Sequence, residues 1–116
     1  MTFKEIAIEL TGSCQKGYTS FEVEAKQVKE LARLYPDMFD LEEKQNDSPS
    51  VGEFLEGALD EDIFIGYVID ESREDKRVSI EGIITKSKAV ATKFLESNPD
   101  EFDHTKLNPP YRLWWD

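Results

Sequence analysis

At 116 residues the chain is long enough for one hydrophobic core and too short for two, since domains cluster near about 100–150 residues. Hydrophobic residues make up 39% of it, with seven Phe, four Tyr and two Trp, an apolar content that excludes a disordered chain. Against 14 basic residues stand 25 acidic ones, a formal net charge of −11, so phosphate backbones and anionic lipid surfaces are repelled at long range. Direct nucleic-acid binding and membrane binding are therefore not expected.

The single cysteine, Cys14, has no partner for an internal disulfide and no neighbours at zinc-ligand spacing. A reducing compartment follows as the expectation. Met1-Thr2-Phe3-Lys4-Glu5 lacks the basic start and apolar run of a signal peptide, and the longest apolar stretch, Ile63 to Ile69, is far short of the roughly 20 residues that span a bilayer. A single cytoplasmic domain over 1–116 is the reading.

In chain order, Phe3 to Leu10 sets Ile6, Ile8 and Leu10 on one face and Glu5 and Glu9 on the other, the period-two pattern of a half-buried strand. Gly12 to Gly17 carries small polar residues between its glycines and reads as a loop. Residues 18–24 fit either a strand, through Phe21-Glu22-Val23, or a helix start, through the Thr19 and Glu22 spacing. Val28, Leu31, Ala32 and Tyr35 recur at helical spacing until Pro36.

Residues 42–50 hold no large apolar side chain and read as an exposed, mobile loop. Ser50 and Glu53 have capping-box spacing for a short helix through Phe54, Leu55, Ala58 and Leu59. Ile63–Ile69 and Val78–Ile84 flank a polar bridge too short for a crossover helix, so they pair as an antiparallel hairpin. A helix with Val90, Ala91, Phe94 and Leu95 on one face ends before Asn98-Pro99. Tyr111 to Trp115 either adds an edge strand or lies across the core.

Pro36-Asp37-Met38-Phe39-Asp40 returns as Pro99-Asp100-Glu101-Phe102-Asp103, each after an amphipathic helix. The echo favours a strand at Tyr18–Val23 and two strand–strand–helix units, with 1–40 as first half, 41–61 as an inserted acidic loop and short helix, 62–103 as second half and 104–116 as an aromatic tail. The expected fold class is thus α+β, two layers, an antiparallel sheet of four or five strands with two main helices on one face. The alternative, with 18–23 helical, is ferredoxin-like.

Candidate chemistry fails at residues it cannot omit. The Gly12 to Gly17 spacing of a phosphate-binding loop is followed by Tyr18-Thr19 where that motif needs Lys and then Ser or Thr. Asp60, Asp62 and Glu71 match three acids of a calcium loop, but Phe64 and Ile65 stand where a ligand and a glycine are required. Asp100, Asp103 and His104 suit the start of a helical turn better than a divalent site. No metal, no cofactor and no catalytic residue is expected.

What stands out is clustered acid: Glu53, Glu56, Asp60, Glu61 and Asp62, then Asp70, Glu71, Glu74 and Asp75 in the hairpin turn. The leading functional expectation is a small non-enzymatic protein-binding module, of inhibitor, immunity or adaptor type, whose acidic surface docks on a basic partner. One alternative is a small enzyme or ligand-binding domain at the Gly12–Gly17 loop, using Cys14, Lys16 and His104. The other is an accessory subunit of a larger assembly. Oligomeric state, partner identity and the burial of Trp114 and Trp115 stay open.

Overall fold

A computed structural model describes residues 1–103 and 108–116. Its first element overturns the expected amino-terminal strand: Phe3–Thr11 is a helix, α1. The Thr2 side chain accepts from the Glu5 amide while the Glu5 carboxylate accepts from the Thr2 amide, a complete capping box, and Gly12 ends the helix at φ 84°. Phe3, Ile6, Ala7 and Leu10 face inward, which is also helical spacing. Ile8, the middle of the alternation that suggested a strand, is 43% exposed. The two periodicities coincide at Ile6 and Leu10, and the cap decides between them.

The ambiguous segment resolves as strand β1, Tyr18–Glu24, running straight into helix α2, Ala25–Leu34. A 3₁₀ turn, Pro36–Met38, closes α2, and Ser50 caps the short helix α3, Val51–Gly57. Strands β2, Ile63–Ile69, and β3, Arg77–Thr85, form the expected hairpin. Helix α4, Lys88–Leu95, and edge strand β4, Tyr111–Trp114, complete the chain.

The four strands lie in sequence order, β1-β2-β3-β4, every pair antiparallel. The element order from β1 onward is that of the ferredoxin-like alternative, and α1 is added in front. The echo is half realised: a strand running into a helix recurs in both halves, but α1 replaces the first strand of the first unit, and the 3₁₀ turn at Pro36–Met38 has a bridge from Glu101 to Trp114 as its counterpart.

Each strand sends alternate residues to the helices. Phe21, Phe64, Val68, Val78, Ile80, Ile83 and Leu113 join Phe54, Phe94 and Trp115 in one core. There Phe54 stacks on Phe94 at 5.3 Å and meets Phe64 and Trp115 edge-on. Gly66 is required at the middle of β2, since a Cβ there would lie 2.2 Å from the Ser79 carbonyl oxygen and 2.5 Å from Phe21 Cζ. The register shifts beside it, leaving Glu81 as the extra residue of a bulge in β3.

Residues 42–50 are tied down rather than free. Val51 N–H donates to the Glu43 carbonyl, Ser48 and Pro49 are buried, and the Gln45 amide reaches the Tyr67 hydroxyl and Ser79 Oγ. The loop's polar groups thus satisfy side chains on the two central strands instead of water, and the loop lies against the sheet face that Tyr67 and Ser79 share.

Candidate functional site

The two acidic groups read from the sequence sit at opposite ends of β2. Seven residues separate their inner ends, about 20 Å at roughly 3.3 Å per strand residue, so they do not form one patch.

At the first end most acids serve the fold. Glu53 completes the α3 capping box, and hydrogen bonds from Ser50 hold its carboxyl below the usual range. Asp60 pairs with Lys29 at 3.0 Å, and Asp62, 2% exposed, accepts from the Leu59 amide. Glu56 and Glu61 are exposed and form no ion pair among the described residues.

The hairpin end repeats the pattern. Asp70, 7% exposed, accepts from the amides of Gly17 and Ser72 at 2.8 Å. Hydrogen bonds from the Ser72 side chain and amide, then from Gly17, bring its pKa down to about 2. Glu71 accepts from the first amides of α1, at Phe3 and Lys4, an acid placed at a helix amino end. Asp75 bridges Arg73 and Arg77, which leaves Glu74 exposed without an ion pair among the described residues.

The Gly12–Gly17 loop packs on that same turn, with Gly17 and Asp70 exchanging backbone and side-chain hydrogen bonds. Cys14 is half-buried, its Sγ 3.6 Å from Asp70 Oδ2 and 3.8 Å from Thr19 Oγ1. The thiol donates to the Asp70 carboxylate and is the last of the hydrogen bonds that lower that carboxyl. Lys16 is exposed, and His104 lies outside the described residues. Among the described residues no three His, Cys, Asp or Glu side chains gather to hold a metal ion. No described helix is long and apolar enough to cross a membrane.

The sheet face turned away from the helices presents a surface the sequence reading missed. Register places Glu24, Ile63, Ile84 and Arg112 in one row across the strands, and Glu22, Ile65, Gly82 and Trp114 in the next. Ile63, Ile65, Ile84 and Trp114 are half-buried, while Glu22 and Glu24 are exposed. The centre is apolar and the β1 border acidic.

Further along, Tyr18, 45% exposed, stacks on Tyr67 at 5.1 Å. The Arg77 guanidinium lies 5.5 Å over the Tyr67 ring and pairs with Glu43 at 3.0 Å. Trp114 lies over Gly82, where an added Cβ would meet Trp114 Cδ1 at 3.0 Å. The bulge residue Glu81 precedes Gly82, the partner of Trp114, and its carbonyl accepts from the Trp115 amide at 2.8 Å. Burial, with the Asp116 charge, pushes the Glu81 carboxyl above its usual value, although Trp114 and Arg112 oppose the rise. Tyr18 is raised as well, by burial and then by the charges of Glu81 and Tyr67.

The signal was present in Ile63-Phe64-Ile65-Gly66-Tyr67-Val68-Ile69. An apolar run without alternation means that both faces of the strand are apolar, and here only one is covered by helices. Comparison with protein families, with curated proteins and with solved structures finds no match for this chain.

Proposed function

We propose that this chain is a non-enzymatic protein-binding module that docks on a basic partner through the open face of its sheet. The observation that supports this most is the anatomy of that face, an apolar centre of Ile63, Ile65, Ile84 and Trp114 beside the acids Glu22 and Glu24. Protein interfaces combine an apolar core, enriched in aromatic residues, with a polar rim. The net charge of −11 selects basic partners and speeds their approach, an effect that salt weakens.

Six of the nine acids first singled out are engaged in caps, turns or ion pairs. Their charge steers a partner at long range, and the sheet face supplies the contact.

The test compares salt-dependent capture by the intact chain with capture by three charge-reversal variants. These are Glu22→Lys with Glu24→Lys on the open face, Glu56→Lys with Glu61→Lys near α3, and Glu74→Lys in the hairpin turn. A basic protein held at low salt, released at high salt and lost only with the first variant supports the reading. Recovery of no basic protein at either salt, or loss with the second or third variant alone, overturns it.

A further inference from the structure

We infer that the outer edge of β1 takes up a basic extended segment of the partner as a fifth, antiparallel strand of the sheet. This rests on the open face being the docking surface and names how the partner is held beside it.

The two edges of the sheet end differently. At β4, Trp114 donates its N–H to the Glu101 carbonyl and its own carbonyl accepts from the Asp100 and Glu101 amides, so the outer side of that strand is already occupied. At β1 the ladder is fixed at both ends, where the Gly17 carbonyl accepts from Asp70 N–H and Ala25 N–H donates to the Asp62 carbonyl. Hydrogen-bonded pairs alternate in an antiparallel ladder, so between those ends they are Thr19–Val68, Phe21–Gly66 and Val23–Phe64. The amides and carbonyls of Ser20 and Glu22 therefore point away from β2, and no other backbone group among the described residues bonds them. Both residues are exposed. An edge of this kind is a template for another strand.

The side chains along the edge select that strand. Glu22 and Glu24 stand two residues apart on the open face, exposed, and neither joins an ion pair among the described residues. Residues directly opposite in an antiparallel pair share a face, and opposite charges there are favourable. Cations at alternate positions of the incoming segment meet both glutamates, and apolar residues between them continue the helix-side face beside the half-buried Val23. A second copy of this chain is the poorer occupant. Pairing β1 with itself gathers Glu22 and Glu24 of both copies on one face, between chains that each carry −11.

The probe is the capped heptapeptide Lys-Val-Lys-Val-Lys-Val-Lys, as long as β1, titrated into the isotope-labelled chain at low salt and followed by NMR and amide hydrogen exchange. The Ser20 and Glu22 amides should gain protection on binding, whereas those of Phe21 and Val23, bonded to β2, are protected with or without peptide. N-methylation of the lysine amides, which face β1 in this pairing, should weaken binding by about tenfold or more, the loss of inter-strand hydrogen bonds. N-methylation of the valine amides, which face away, should leave it unchanged, and the heptapeptide with Glu in place of Lys should not bind.

Equal affinity of the two methylated peptides, or shifts at Ile65 and Trp114 with no protection of Ser20 and Glu22, overturns strand addition and leaves docking on the open face standing. Protection of Ser20 and Glu22 in the chain alone, rising with its concentration, assigns the edge to a second copy and overturns strand addition as well. No binding of the basic heptapeptide at low salt also overturns it, and the basic-partner reading falls with it only if no basic protein is captured.

Discussion

The two faces of the sheet carry similar side chains with different surroundings. On the helix side, Phe64, Val68, Ile80, Ile83 and Leu113 are sealed by four helices and by Trp115, and Phe54 ties three aromatic rings together. On the other side Ile63, Ile65, Ile84 and Trp114 are half-buried, and the acids beside them are Glu22 and Glu24. The first face is dry and its job is stability. The second is only half-buried around Ile63, Ile65, Ile84 and Trp114, while the 42–50 loop covers its Tyr67 and Ser79 end.

Substitutions should separate the faces. The largest effect is expected from Phe54→Ala, which opens a cavity among Phe64, Phe94 and Trp115 and should cost about 3–5 kcal/mol in denaturant unfolding. Gly66→Ala comes next, because the new Cβ meets the Ser79 carbonyl oxygen and the Phe21 ring; overpacking of this kind costs about 1–3 kcal/mol. Equal losses from the open-face changes would erase the distinction.

Asp70 tests the turn that locks α1, the Gly12–Gly17 loop and the hairpin together. Its native pKa of about 2 lies below the usual 3.8, so its contribution is complete above about pH 4 and is lost as pH falls through 2. Wild-type stability should decline over that acid window. Asp70→Asn should be less stable at neutral pH and should lose this part of the acid dependence. An unchanged acid limb in the variant would remove Asp70 from the account.

The smallest change in stability belongs to the open face. Ile65→Ser should cost about 1 kcal/mol, less than the core changes because the side chain is only half-buried, while the capture of a basic partner at low salt is lost. Large destabilisation with capture retained would assign Ile65 to the core.

How far the sequence carried the fold depended on whether a segment had one periodicity or two. Val28, Leu31 and Tyr35 fit only a helix, and the β2–β3 pair is separated by too few residues for anything but a hairpin. Phe3–Thr11 satisfied both periods at Ile6 and Leu10, and the Thr2–Glu5 box that settles the matter lies at its margin. Tyr111–Trp114 took its place as an edge strand because Gly82 leaves room for Trp114 above it.

The candidate site was less legible for a different reason. Acid density along the chain marks where carboxylates are close in sequence, and there most of them cap and brace the local backbone, as Glu53, Asp62, Asp70 and Glu71 do. Glu22, Ile65 and Trp114 are far apart in sequence and fall in one row only through the register of four strands. The row depends on the bulge as well, and a one-residue register shift leaves no mark in composition.

The most direct measurement of the central claim is hydroxyl-radical footprinting of the chain alone and in complex with the basic partner it captures at low salt. Tyr18 and Trp114, both accessible in the free chain, should lose reactivity in the complex, while the buried Trp115 stays unreactive in both. Unchanged reactivity at Tyr18 and Trp114, with protection instead at the exposed Leu34 in the groove of about 450 Å³ beside α2, would contradict the account.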